Sequence, residues 1–152
     1  MKKEEKTIDS ILTRLFITTL KIEERSIAAR FNNDLSISEL HVIREIGIDD
    51  TKTMTQVANG LKISVGALTT AMNKLEQKGY VTRTRDIGDR RIVNLCLTER
   101  GRDAFDIHEA FHKEMVDAAI SGLTPKEKGI ILKALSQLDD FFIREWEKAR
   151  SG

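Results

Sequence analysis

Residues 53–78 read TMTQVANGLKISVGALTTAMNKLEQK. Thr53 and Gln56 stand three residues apart as a capping box, the mark of a helix start. Met54, Val57, Ala58 and Leu61 follow at helical spacing. Lys62-Ile63-Ser64 is a tight turn, and Ser64 caps a second helix. Leu68, Met72 and Leu75 recur in that helix by four and three, and Gly79 ends it. Ala58 puts a small side chain where the two helices must pack closely. A lysine with positive φ is strained, so Lys62, where many such turns have glycine, leaves another turn geometry open.

With Leu68, Met72 and Leu75 turned inward, Val65, Gly66, Thr69, Thr70 and Asn73 lie on or near the outer face, beside Ser64 and Lys74. These residues are small or polar. They can approach base edges, exchange hydrogen bonds with them, or touch a thymine methyl group. The amides at the helix start can also hold a phosphate. Taken alone, such a face is more often simply solvated.

The period changes after Gly79. Tyr80–Arg85 and Ile92–Leu97 read as short strands rich in β-branched residues. They flank a polar tip, Asp86-Ile87-Gly88-Asp89-Arg90-Arg91, so a hairpin with a longer loop is expected. Between Met72 and Arg102 there are eight basic residues (Lys74, Lys78, Arg83, Arg85, Arg90, Arg91, Arg100, Arg102) and four acidic ones, a local excess of +4. Arginines at a protruding tip suit the negative potential of a DNA minor groove. An Asp89–Arg91 ion pair is compatible with that role and would fix the pose of one arginine. The expected DNA-contacting set is Ser64, Val65, Gly66, Thr69, Thr70, Asn73, Lys74, Arg83, Arg85, Asp89, Arg90 and Arg91.

Further out, Ser36 and Glu39 cap a helix carrying Leu40, Val42, Ile43 and Ile46, closed by Gly47 and followed by a polar turn over 49–52. Upstream, a long helix over Glu5–Phe31 carries Ile8, Ile11, Leu12, Leu15 and Ile22. Downstream, Thr98 caps a helix with Phe105, His108, Phe111 and Met115, and Gly122 stops it. Thr124-Pro125-Lys126-Glu127 then opens a last helix through Trp146. The expected fold is mainly α, an α+β winged helix-turn-helix. It has about six helices and a wing of two or three strands in one unit over residues 1–152. The core spans 36–98. The helices at 5–31 and 99–149 are wider in apolar coverage than one core contact needs, which points to homodimerisation.

Bulk properties agree with this reading. The chain has 152 residues, a net charge of +1 and one cysteine. Cys96 lies between leucines in a strand, so an inert, half-buried thiol is expected, with no internal disulfide. No apolar run is long enough to cross a membrane, and no leader-like segment follows the charged start. A cytoplasmic protein without a membrane partner is expected. Phosphate loops, nucleophile elbows and metalloprotease motifs are missing, so no enzyme is expected. His108 and His112 have metal-capable i, i+4 spacing, and His41 is a third imidazole. With no cysteine or clear acidic cluster nearby, the expectation is structural histidines, no metal and no other cofactor.

Asp89-Arg90-Arg91, then Leu97-Thr98-Glu99-Arg100-Gly101, and upstream Leu75-Glu76-Gln77-Lys78-Gly79-Tyr80-Val81 resemble the MarR-type winged helix regulators in order and spacing. The stretches 37–43, 65–70 and 108–116 look like the fatty-acid biosynthesis repressor subgroup of Gram-positive bacteria. The resemblance implies a homodimeric repressor on an inverted-repeat operator, with long-chain acyl-acyl carrier protein as corepressor. An apolar effector site between the dimer helices and the winged core would draw on Phe16, Leu20, Ile27, Phe31, Phe105, His108, Phe111 and Met115. Two alternatives stay open. One is a regulator of another operon that responds to a small aromatic ligand. The other is a winged-helix module whose basic loop docks an acidic protein.

Overall fold

The computed structural model describes residues 1–48 and 51–151, and the side chains of all of these except 27 and 151. Six helices and three strands follow in the order α1 (Lys3–Arg30), α2 (Ile37–Ile46), β1 (Lys52–Thr53), α3 (Met54–Gly60), α4 (Val65–Gln77), β2 (Val81–Arg85), β3 (Val93–Leu97), α5 (Glu99–Ile120) and α6 (Pro125–Ser151). The chain divides into two compact units, Met1–Glu109 and the part from Ala110 onward.

The helix starts lie where their caps place them. Ser36 Oγ accepts from Glu39 N–H while the Glu39 carboxylate accepts from Ser36 N–H at 2.8 Å. Thr53 and Gln56 make the same reciprocal pair, and so do Thr124 and Glu127. Each such cap satisfies amides that a helix start leaves without partners and is worth about 1 kcal/mol.

The turn between α3 and α4 settles the question raised by Lys62. Its φ is 56°, the left-handed region that glycine usually fills. Lys62 N–H donates to Asn59 O, and Ile63 N–H donates to Ala58 O. Those bonds and the buried crossing beneath them hold the lysine in that conformation.

The sheet is antiparallel throughout, in the order β1-β3-β2. Val81 faces Leu97 and Arg85 faces Val93 in the β2–β3 ladder, while Lys52 faces Leu95 across β1 and β3. Lys52, expected in a polar turn, is therefore a strand residue. It pairs because the free edge of β3 lies beside it. Asp49 and Asp50 of that expected turn are outside the described residues.

One core holds the winged unit together. Leu40, Ile43 and Ile46 of α2, Val57 and Ala58 of α3, Leu68, Met72 and Leu75 of α4, and Tyr80, Val81 and Leu95 of the hairpin are all buried. Leu68→Ala or Leu75→Ala should cost about 2–5 kcal/mol. α5 begins against this core. A Cβ built on Gly101 would collide with the Tyr80 carbonyl oxygen and sit 3.2 Å from Leu97 Cβ. Only glycine lets the helix start so close to the hairpin.

Candidate nucleic-acid interface

α4 presents the expected face. Leu68, Met72 and Leu75 are fully buried, while Val65, Gly66, Thr70, Asn73 and Lys74 are exposed and Thr69 is half-exposed. Ser64 caps the helix, its Oγ accepting from Ala67 N–H at 3.0 Å. Thr69 donates its hydroxyl to Val65 O at 2.8 Å, and Thr70 donates to Gly66 O at 3.3 Å. Their outward lone pairs therefore remain as acceptors.

Arg83 is placed differently from its neighbours on the hairpin. Its Nη2 donates to Asn73 Oδ1 at 2.7 Å, and its Nε lies 3.4 Å from Glu76 Oε2. The guanidinium thus braces α4 from beside it. With Oδ1 held, Asn73 presents its Nδ2 as the donor at the outer edge. Arg83, expected among the DNA contacts, is thus tied to α4, a pairing that its place in the sequence did not suggest.

The hairpin tip is organised by an aspartate. Asp86 Oδ1 accepts from Gly88 N–H at 2.8 Å and Asp89 N–H at 3.0 Å. The Asp89 and Gly88 amides hold its carboxyl below the usual aspartate value. Asp89 Oδ1 accepts from Arg91 N–H at 3.0 Å and lies 3.7 Å from Arg91 Nε, so the expected pair is present. The Arg91 side chain is nevertheless 94% exposed. Arg85 and Arg90 are exposed as well. Ile87, fully exposed at the tip, was not singled out from sequence. An apolar side chain beside arginines has the make-up of a minor-groove wedge.

Two more of the eight counted basic residues have other work. Lys78 Nζ reaches Glu39 at 2.8 Å, and Arg100 Nη2 reaches Asp34 at 2.8 Å while its guanidinium lies 4.3 Å from the Tyr80 ring centroid. Their acidic partners lie outside the Met72–Arg102 window, so the local excess falls from +4 to +2. The Tyr80 hydroxyl donates to Asp34 Oδ2 at 2.9 Å. Burial, and then that carboxylate, push its pKa up to about 12. For Glu39, burial works to raise the carboxyl. The Lys78 ammonium and the Ser36 amide outweigh it and hold the group below the usual value.

The expected effector residues lie on α1, just after it and on α5. Phe31 and Phe105 pack against the core, while Phe16 and Leu20 are exposed on α1. Phe111 and Met115 belong to the second unit. The side chain of Ile27 lies outside the described residues. An open cavity of about 350 Å³, lined by Arg44, Ile46, Gly47, Ile48, Lys52, Phe105 and Glu109, includes only Phe105 of this set. Cys96 is half-buried, as expected. His108 is buried, and the fold brings it to His41 and to an acidic neighbour that spacing could not reveal, Glu23.

Comparison with known proteins agrees with the geometry. A family profile described as MarR family matches residues 33–92. A structure of Streptococcus pneumoniae FabT in complex with DNA is similar at a TM-score of 0.83 and 38% identity, over 92% of this chain and 98% of that one. The HTH-type transcriptional regulator SarZ of Staphylococcus saprophyticus is 31% identical over 104 residues, 68% of this chain and 71% of its own length. The HTH-type transcriptional regulator YwhA of Bacillus subtilis is 29% identical over 90% of this chain and 96% of its own. The chain thus belongs to the MarR family of helix-turn-helix transcriptional regulators and is a regulator, not an enzyme.

Proposed function

We propose that this regulator is a homodimeric repressor that reads an inverted-repeat operator through α4 and the hairpin wing. The carrying observation is the Arg83-braced face of α4 beside an arginine-bearing tip. Ser64, Val65, Gly66, Thr69, Thr70, Asn73 and Lys74 enter the major groove. The Asn73 amide donates to a purine N7, a guanine O6 or a thymine O4, and the threonine oxygens accept from base amino groups. Arg85, Arg90 and Arg91 meet minor-groove edges or phosphates, with Asp89 fixing the pose of Arg91.

Dimerisation is supported by apolar side chains left exposed on the terminal helices. Ile8, Leu15, Ile17 and Leu20 are exposed on α1, and Ile130, Leu132, Leu135 and Phe141 on α6. Residues 5–31 and 99–149 are the dimerisation segments in this reading, flanking a DNA-binding core at 36–98. A two-fold dimer sets two α4 helices about one DNA turn apart, roughly 34 Å. No described helix is long and apolar enough to cross a membrane, and the repressor works in the cytoplasm.

The genes it controls are those of fatty-acid biosynthesis, and long-chain acyl-acyl carrier protein is the corepressor. The similarity to FabT, 38% identical over nearly all of both chains, supports this assignment. A gel-shift titration of the purified protein on its own upstream region, with and without acyl-acyl carrier protein, tests it. Affinity should rise with the acylated carrier and not with the unacylated one. Unchanged affinity removes the fatty-acid assignment and leaves the DNA reading standing.

A further inference from the structure

Glu23 on α1, His41 on α2 and His108 on α5 turn their side chains toward one point, and all three lie in the first compact unit. Glu23 Oε1 is 3.6 Å from His108 Nε2, and Glu23 Oε2 is 3.8 Å from His41 Nε2. One ligand atom from each residue lies within 4.8 Å of the other two. The two imidazoles meet edge-on with centroids 5.9 Å apart. Glu23 and His108 are buried, at 4% and 3% exposure, whereas His41 is 39% exposed and opens the cluster to solvent.

We propose that Glu23, His41 and His108 form a binding site for a divalent first-row transition-metal ion of the zinc class. A dication suits this donor set, which joins a carboxylate oxygen to imidazole nitrogens. The carboxylate–imidazole separations exceed the roughly 2.7–3.2 Å of a hydrogen bond. They approach the edge of about 3.3–3.4 Å that two ligands subtend around a tetrahedral zinc at 2.0–2.1 Å. Two imidazoles and one carboxylate suit zinc and its neighbours, whereas magnesium and calcium prefer six or more oxygens. Three protein ligands leave a fourth position for water on the His41 side.

The ligands come from three helices, so an ion there ties α1 to α2 and to the start of α5. Because α2 packs against α3 and α4 within the winged core, metal and DNA binding are linked reciprocally. The site itself goes beyond the DNA reading and stands without it.

Full-length protein stripped with a chelator and titrated with zinc chloride by calorimetry tests the site. Absorption spectra with cobalt(II) report the coordination geometry. One ion per chain is expected, with a tetrahedral cobalt spectrum. His41→Ala, at a half-exposed position, and Glu23→Gln, which keeps the side-chain size, should each weaken uptake at least about tenfold. Thermal melts of both variants establish that they fold. Failure to take up zinc overturns the site. So does uptake that a folded variant leaves unchanged. Loss of uptake in the folded variants supports it. The readout needs no DNA, so zinc uptake without operator binding keeps this site and removes the repressor reading.

Discussion

Arg83 Nη2 donates to Asn73 Oδ1 at 2.7 Å, joining the first wing strand to the outer face of α4. The bond decides which end of the Asn73 amide faces outward. Arg83→Ala should therefore lower affinity for the operator by about tenfold and weaken discrimination between sequences, although the arginine need not touch a base. Asn73→Ala should cost about 1–3 kcal/mol at its base. Fluorescence anisotropy on the two single variants and the double variant gives the check. The double should lose less than the sum of the singles, since both act through one contact.

Arg90 and Arg91 are at the tip and play no part in the core. Arg90→Ala and Arg91→Ala should each weaken binding to operator and random duplex alike. Each should reduce the slope of log affinity against log salt by about one. Thermal stability should not change. A preserved salt slope contradicts their proposed role as phosphate or minor-groove contacts.

Glu39 and Tyr80 make stability depend on pH at both extremes. The Glu39 carboxyl is held below its ordinary 4.5, so the stability it contributes is complete above that value and is lost as pH falls through the folded-state value. The Tyr80 hydroxyl is raised from 10 to about 12, so its contribution is complete below 10 and is lost as pH rises toward 12. Denaturant titrations across pH should show both limbs. Glu39→Gln should flatten the acid one and Tyr80→Phe the alkaline one. Lys78→Met, which strips the buried Glu39 of its partner, should cost about 1–3 kcal/mol at neutral pH.

Lys62 and Gly101 carry opposite backbone predictions. Lys62→Gly relieves the positive φ of 56° and should stabilise the protein by about 1 kcal/mol. Gly101→Ala drives a methyl group into the Tyr80 carbonyl and should destabilise by about 1–3 kcal/mol or more. Chemical denaturation of the two variants beside the parent checks both signs.

Features with short-range causes were legible in the sequence. Ser36 with Glu39, Thr53 with Gln56 and Thr124 with Glu127 each specify a helix start within four residues. The spacing of Leu68, Met72 and Leu75 identifies the buried face of α4, and hence the exposed one. The Asp89–Arg91 pair could also be read locally. Features that depend on the path of the chain were not legible. Lys52 becomes a strand because β3, some forty residues later, lies beside it. Lys78 and Arg100 lose their counted charge to Glu39 and Asp34, which lie more than thirty residues upstream. Glu23 meets His41 and His108 only when three helices converge, so no spacing rule could find it.

Selection from a pool of random duplex DNA by the purified full-length protein tests the central claim most directly. The account predicts enrichment of an inverted repeat whose half-sites are centred about one helical turn apart, roughly 10 base pairs. Asn73→Ala should relax the preference at one position of each half-site. A pool that stays random after repeated rounds, or one enriched in a single unrepeated site, would contradict it.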